Sequence, residues 1–263
     1  MERHSIKKPK ISVVIPAHNE ENVLTFTLEA LLKQTHPNFE IVIVNNASTD
    51  KTVEVVTNFI SSRKLGQEKI RIVHESKKGL LHARERGRRE ARGIIVANID
   101  ADCLPEADWL EKASALFDTS AGGIQRADGA TKIVGVSGPY DYYDAHPSFK
   151  FSSMIMQNYI YRPVSHILQW PFVRTYMGGG AVLIGGNNLI RADILEKMGG
   201  YNTKLTFYGE DTDTAKRIAK FGRVIFTPKL PMKTSARRFK DEGTLKLTVW
   251  YLFHFFKHTF KGI

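Results

Sequence analysis

The sequence predicts an α/β fold, a mostly parallel sheet with helices on both faces. Three observations carry this. Short apolar runs rich in Val and Ile alternate with helix-period segments between residues 11 and 100. Three polar clusters, "HNEEN" (18–22), "NNASTD" (45–50) and "DAD" (100–102), each follow directly on such a run, where the carboxyl ends of parallel strands form a ligand crevice. The 263 residues, 42% of them hydrophobic, suffice for the core of one large domain or two small ones.

The elements follow in order. "ISVVIPA" (11–17) reads as the first strand and Glu20 to Lys33 as a helix. "FEIVIVNN" (39–46) is the second strand, Ser48 to Ile60 a helix, and "KIRIVHE" (69–75) the third strand. Leu80 to Arg92 is helical and "GIIVANID" (93–100) is the fourth strand. Beyond Pro139 the pattern loosens. Residues 140–175 are rich in aromatic residues and Met, and Pro147, Pro163 and Pro171 are expected to break them into short pieces. "GGNNLIRADILEKMGG" (185–200) reads as a turn and a short helix, with Asp193 as candidate N-cap and Gly199 just past the last turn. "EDTDTAKRIAKFG" (210–222) is an amphipathic helix closed by Gly222, and "RVIFTP" (223–228) a short strand. No internal repeat or low-complexity segment is evident.

The formal net charge of +11 is unevenly spread. Residues 63–92 carry net +7 and residues 232–263 net +5, so the rest of the chain is close to neutral. Two such patches suit phosphates, nucleic acid or an anionic membrane surface. The single cysteine, Cys103, excludes an intrachain disulfide and suits a reducing compartment. The apolar run after the basic start stops at Pro16, too short for a signal peptide. No apolar run of 18 residues is present, so no ordinary membrane span is expected.

Two carboxylate clusters and one basic segment offer chemistry. Asp100 and Asp102 end the fourth strand with only Ala101 between them. In extended backbone, residues i and i+2 point the same way, and two like charges side by side call for a cation or water. Oxygen ligands with positions left open for phosphate are the usual mode for Mg²⁺ or Mn²⁺. The triplet also reads as a solvated turn acid followed by an N-cap before "LPEADWLEK"; its place at a buried strand's end strengthens the metal reading. In "GED" (209–211), Glu210 and Asp211 open a helix with Asp213 close behind. Acids there are favoured by the helix N-terminus, or one of them serves as a general base. In "KKGLLHARERGRRE", helical spacing puts Arg84, Arg88 and Arg92 on one face. Most of these arginines read as a solvated surface, while Arg84, near the turn at Gly79, is placed to reach a diphosphate.

Six segments in this order, "ISVVIPAHNEENVL", "IVIVNNASTDKT", "KKGLLHARERG", "NIDADCLPEADWL", "GGNNLIRADILEKMGGYN" and "YGEDTDTAKRIAKFG", resemble glycosyltransferase family 2 across about residues 10–240. The resemblance implies the A-type glycosyltransferase fold, with a Rossmann-like sheet, and an inverting, metal-dependent hexosyl transfer from a nucleotide-diphosphate-sugar in cell-envelope glycan or glycolipid assembly. It implies Mn²⁺ or Mg²⁺ as cofactor and a glycan, glycolipid or lipid-linked hydroxyl as acceptor. By position, Asp102 resembles the metal-binding acid, and Asp100, beside Ala101, contacts ribose or metal. Asp211 resembles the catalytic base, with Glu210 as the alternative. Pro16, Ala17, Asn19 and Glu20 match the first nucleotide loop, Arg84 the arginine facing the nucleotide, and Gly185 to Asn188, with Asn187, the loop beside sugar and acceptor. The domain so implied runs to residue 240, and 241–263 form an amphipathic C-terminal helix.

Two departures stand out. The family often has an acidic pair where this chain has Asn45 and Asn46, and the second usually accepts a hydrogen bond from the base. Asparagine can accept through its oxygen and also donate; a UDP-sugar is expected, with guanosine and other bases open. Processive members carry a Gln-x-x-Arg-Trp motif where this chain has "TSARRF" (234–239), so a processive synthase is not expected. Arg237 and Arg238 there read either as diphosphate ligands or as an exposed basic loop. In "TLKLTVWYLFHFFKHTFKGI" (244–263), aromatic residues go most of the way round a helix flanked by lysines. That suits a peripheral contact with the inner face of the cell membrane from the cytoplasm, or else packing on the domain. The stretch 149–176 reads as a second contact, an acceptor lid or ordinary core, and loops 137–180 are expected to set specificity.

Three other classes fit less well. A nucleotidyltransferase would place a glycine- and arginine-rich phosphate loop after the first strand, where this chain has "IPAHNEEN". A nucleic-acid-binding module fits the charge, but no binding motif is present and the carboxylate clusters oppose it. An inactive sugar-nucleotide binder fits poorly with retention of Asp102 and Asp211.

Overall fold

The structure, a computed structural model, describes residues 10–118, 132–170, 181–205 and 209–260. The first half follows the predicted alternation: β1 (Ile11–Ala17), α1 (Leu24–Leu32), β2 (Phe39–Asn46), α2 (Thr52–Ser62), β3 (Ile70–Glu75), α3 (Leu80–Glu90) and β4 (Ile95–Ile99). Then come β5 (Leu104–Pro105), α4 (Trp109–Asp118), β6 (Ile133–Ser137) and β7 (Tyr140–Tyr142). The helical run α5 (Pro147–Ile155), a π-helical turn (Met156–Tyr161) and α6 (Arg162–Ile167) precedes β8 (Asn187–Arg191) and α7 (Ala192–Lys197). The chain continues through α8 (Glu210–Ala219), β9 (Arg223–Phe226), β10 (Met232–Thr234), α9 (Arg237–Glu242) and α10 (Thr244–Phe260).

Seven strands form one sheet in the order β3-β2-β1-β4-β8-β6-β9, parallel except for β8, which runs antiparallel to β4 and β6. Strand alternation sorts side chains to its two faces. Ile11, Val13 and Ile15 pack with Leu24, Leu28, Val56, Phe59, Trp109 and Phe117 of α1, α2 and α4. Val14, Val42 and Val96 pack with Leu81, Ile194, Leu195, Ala215 and Ile218 of α3, α7 and α8. This two-sided cover explains why the central strands β1, β2 and β4 are mostly apolar rather than alternating. A second, three-stranded sheet, β5-β10-β7, stands at the carboxyl end of β4. No helix among the described residues is long and apolar enough to cross a membrane.

Three expectations change. The predicted turn and helix of 185–200 are present at Gly185–Gly186 and Ala192–Lys197, but Asn187–Arg191 between them is a strand at the heart of the sheet, because pairing on both sides and near-complete burial override the poor strand propensity of Asn. Its helix is capped at Arg191, and Asp193 falls in the first turn. Pro163 does not break the aromatic segment. The helix runs on through a π turn, whose wider register stands just before the proline ring and its missing N–H. Pro171 lies outside the described residues, as do 171–180 of the expected specificity loops. The predicted first helix loses residues 20–23 to a turn, and the N–H groups of Glu20 and Glu21 donate to Thr52 Oγ1 (2.8 Å) and Asp50 Oδ2 (3.1 Å).

Candidate active site

The carboxyl ends of β1, β2, β4 and β6 and the amino end of the antiparallel β8 meet at one edge of the sheet. Pro16 and the buried Ala17 close β1, and Asn19 follows in a left-handed conformation (φ 58°). The Asn19 side chain accepts the Thr49 N–H (2.8 Å), which ties the "HNEEN" loop to "NNASTD". Asp100 is the first residue past β4, and Ala101 is buried with its carbonyl accepting from Thr27 Oγ1 (2.7 Å). The backbone turns here, with the Cys103 N–H on the Asp100 carbonyl (3.1 Å), so Asp100 and Asp102 are turn residues rather than neighbours on an extended strand.

Arg84 organises the acids. Leu80–Glu90 directs it inward, where it is 4% exposed, while Arg88 and Arg89 pair with Glu85 and Arg86 with Glu90 along the helix. The helix ends before Arg92, which the predicted face had included. Arg84 Nη2 lies 3.6 Å from Asp100 Oδ1, and Nη1 lies 3.4 Å from Asp211 Oδ1 and 4.0 Å from Glu210 Oε1. Burial works against its charge, yet Asp211, Asp100 and Glu210 together hold its proton more firmly than in an ordinary arginine. Arg84 is thus spent on three carboxylates.

Glu210 and Asp211 differ in environment. Gly209, left-handed at φ 86°, starts α8 and sets both at its first turn. Glu210 is buried, and its pKa is pushed up to about 9, by burial first and by the Asp211 charge second. It is therefore protonated at neutral pH. The Asp211 side chain is 34% exposed, and the Gly185 N–H donates to its Oδ2 (3.0 Å). Burial raises its pKa as well, while Arg84 and the Gly185 N–H oppose the rise. The two glycines before β8 let backbone approach this closely. A Cβ on Gly185 would stand 2.5 Å from Asp211 Oδ1, and one on Gly186 would stand 2.1 Å from Asp100 Oδ2.

Asp102 sits in a second ionic group. It is buried, accepts from Thr234 Oγ1 (3.2 Å) and faces Arg237 Nε (3.2 Å). Arg237 also donates twice to Glu20, at 2.8 and 2.6 Å. Those bonds to Glu20, with the Asp102 charge, raise the arginine's pKa against its partial burial. Burial, then the Asp100 charge, lift the Asp102 pKa to about 6 even with Arg237 present. A pair of hard oxygen donors pressing on each other fits a small divalent cation. Among the described residues no cluster of three or more His, Cys, Asp or Glu could hold a metal.

Three predicted contacts are directed elsewhere. Asn46 is 4% exposed; its Nδ2 donates to the Glu75 (3.1 Å) and Lys77 (2.7 Å) carbonyls and its Oδ1 accepts from the Gly79 N–H (2.8 Å). It fastens β2 to the start of α3 with both Nδ2 hydrogens, and its Oδ1 keeps one lone pair beyond the Gly79 N–H. Asn187 is fully buried, accepting from Trp109 Nε1 (3.1 Å) and donating to the Leu230 carbonyl (2.9 Å). Arg238 donates to Glu242 (2.8 Å) one turn on, in its own helix. Asn188 instead supports the cleft, with Nδ2 on the Gly185 carbonyl (2.8 Å). Two residues escaped the sequence reading. The Tyr140 hydroxyl donates to Asp100 Oδ2 (3.0 Å), and Thr234 holds Asp102. Tyr140 is itself clamped by Gln157 of the π turn, which accepts its N–H (2.6 Å) and donates to its carbonyl (2.9 Å).

Residues 12–199 match the sequence profile described as Glycosyl transferase family 2. The chain is 28% identical over 225 residues to "Probable glycosyltransferase YdaM" of Bacillus subtilis (strain 168), covering 84% of this chain and 49% of that one. A solved "Mannosyltransferase PcManGT from Pyrobaculum calidifontis in complex with GDP-Man and Mn2+" superimposes with TM-score 0.70 at 23% identity, over 98% of this chain and 66% of that one. S. aureus TarS 1–349 in complex with UDP-GlcNAc gives 0.60 at 18% identity, over 87% and 59%. At these identities the solved structures speak for the shared A-type fold. The chain spans about half the length of that curated relative.

Proposed function

The chain belongs to glycosyl transferase family 2, and we propose that it moves a sugar, with inversion, from a nucleotide-diphosphate-sugar to a hydroxyl of a glycan or lipid-linked acceptor. The observation that carries this reading is the pairing of a partly open Asp211, fixed by Gly185 and Arg84, with Asp100 on the other arm of the same guanidinium. Asp211 takes the proton of the acceptor hydroxyl. The acceptor oxygen bonds the anomeric carbon from the face opposite the leaving group, and the electron pair of the breaking bond leaves on the diphosphate oxygen. The products are the inverted glycoside and the nucleoside diphosphate, and the proton passes from Asp211 to water. Glu210 is the less suited of the two acids, because burial and the Asp211 charge favour its protonated form. Mn²⁺ or Mg²⁺ held by Asp102 and Asp100 would offset charge on the diphosphate. Arg84 favours the anionic form of Asp211 against its burial and aligns Asp100, and Tyr140 and Thr234 fix the two β4-end acids.

The fold of a chain solved with GDP-Man and Mn²⁺ and of one solved with UDP-GlcNAc supports a nucleotide-sugar donor without choosing the base. With Asn46 buried, the more exposed Asn45 is the nearer candidate for the base edge. Its Oδ1 accepts from Ser48 N–H at a long 3.3 Å and its Nδ2 meets His74 Nδ1 at 3.1 Å. The test is a transfer and donor-hydrolysis screen of UDP- and GDP-sugars with Mn²⁺. Asp211→Asn is expected to lower kcat by about 10²–10⁴-fold, the range for a lost general base, with donor affinity kept. Wild-type transfer by Asp211→Asn would overturn the assignment.

A further inference from the structure

Fourteen large hydrophobic side chains of the described residues are exposed, and ten of them fall in two short segments. Phe151, Met154, Ile155, Tyr159, Ile160, Ile167 and Trp170 lie along α5, the π turn and the end of α6, and Val249, Trp250 and Phe253 lie on α10. Tyr159 is 73% exposed, Phe151 62% and Trp170 60%. α5 buries none of its residues. The two segments adjoin through Phe239 of α9, whose ring centroid lies 4.9 Å from Phe149 of α5 and 6.1 Å from Tyr251 of α10. Phe239 thus bridges the two segments, and each exposes apolar side chains to solvent.

The charge of that layer points to its partner. Residues 147–170 and 243–263 contain Lys150, Arg162, Lys246, Lys257 and Lys261 and not one Asp or Glu, in a chain with 27 acidic residues. Of the acids that flank the two segments, Asp144 and Glu242 are paired with Lys240 and Arg238, and Asp141 and Asp241 are exposed beside them. A protein partner would ordinarily meet a mixed rim. Exposed Trp, Tyr and Phe with a purely basic set of ionic groups match the boundary of an anionic bilayer, where rings sit among headgroups and lysines add attraction. The layer also adjoins the cleft. Phe149 and Phe239 pack on Tyr142, two residues from the Tyr140 that holds Asp100, and Gln157 of the π turn clamps Tyr140 directly.

We propose that α5, the π turn, α6 and α10 dock on an anionic lipid surface and set the cleft at that surface, so that the acceptor hydroxyl belongs to a lipid-anchored molecule. Docking stands on its own observations, while the acceptor class rests on the glycosyltransferase reading above.

The experiment is flotation of the full chain with vesicles of phosphatidylcholine alone and of equal parts phosphatidylcholine and phosphatidylglycerol. Binding to the anionic vesicles, weakened by salt, is expected. Tryptophan emission is expected to shift to the blue on binding, because Trp170 and Trp250 are exposed while Trp109 is already buried. Phe151→Glu with Tyr159→Glu, and separately Val249→Glu with Phe253→Glu, should each cut partitioning by about tenfold or more. These four side chains are exposed, so folding is retained, as donor-induced thermal stabilisation in each variant would verify. Absence of binding, binding indifferent to the anionic lipid, binding unchanged in both double variants, or concentration-dependent self-association in its place would each overturn the proposal. Donor stabilisation without vesicle binding would sink the docking and leave the transferase reading standing; vesicle binding without donor stabilisation would do the reverse.

Discussion

Glu210 and Asp211 are adjacent in sequence, and their different environments separate their roles. Glu210 is buried against Arg84 and Asp211, so in the folded chain it keeps its proton to about pH 9. In the unfolded chain it ionises near its ordinary value of 4.5. Between these values the folded state binds more protons than the unfolded, so stability falls as pH rises through that window. Glu210→Gln removes that dependence. In metal-free buffer the variant should melt close to wild type at pH 5 and above wild type at pH 9, measured by calorimetry. Equal offsets at both pH values would refute the buried, protonated Glu210. The neighbouring assignment, Asp211 as the base, has the opposite physical requirement. It needs an ionised and reachable carboxylate, which the Gly185 N–H and the cationic Arg84 favour and its exposure permits.

At the scale of elements, the first half was legible because β1, β2 and β4 are largely apolar on both faces, the edge strand β3 keeps apolar Ile70, Ile72 and Val73, and polar loops follow. β1 to β4 and α1 to α3 then follow from period alone. β8 was not legible, since Gly185, Gly186, Asn187 and Asn188 carry turn chemistry. The two glycines do form a turn, which lets backbone stand against Asp100 and Asp211, while Asn187 and Asn188 enter the strand because Asn187 can satisfy Trp109 and Leu230 in the core. The carboxylates of the site could be read from position, whereas Tyr140 and Thr234 could not, as their contacts come from the second sheet, which no periodicity announces. Pro163 misled for a related reason, the π turn ahead of it. That turn has a consequence for Gln157, which satisfies both backbone groups of Tyr140. Gln157→Ala should cost about 1–3 kcal/mol for each group left unpaired, read from urea unfolding. Asn158→Ala, whose half-buried side chain bonds the Met154 carbonyl one turn back, should stay within about 0.5 kcal/mol of wild type. Equal costs would show that the clamp on Tyr140 is not what the π turn supports.

Over the whole molecule, the cleft joins elements far apart in the chain: β1 and β2 loops, β4, β8, α8 and, through Arg237, the segment before α10. A ligand that bridges them stabilises the fold as a unit, by RT ln(1 + [L]/Kd), or about 2.7 kcal/mol at a hundredfold excess over Kd. For a chain of this size each kcal/mol moves the melting temperature by roughly 2–4 °C, so a nucleotide bound there is visible as a shift of several degrees. The two solved relatives of this fold hold different bases, GDP-Man in one and UDP-GlcNAc in the other, so the fold leaves the choice to local side chains. In this chain Asn46 is withdrawn into the β2–α3 junction, and Asn45 offers a neutral edge able both to accept and to donate. The uracil edge presents one donor flanked by carbonyls, which a small asparagine can meet without the additional acceptor that the exocyclic amine of guanine would call for. UDP with Mn²⁺ is therefore expected to raise the melting temperature, GDP with Mn²⁺ to raise it less, and either nucleotide without the metal to do little. Asp102→Ala should abolish the UDP shift. A shift with GDP and none with UDP would overturn the uridine reading, and it would move the search for the base contact from Asn45 to the first-loop residues around Asn19.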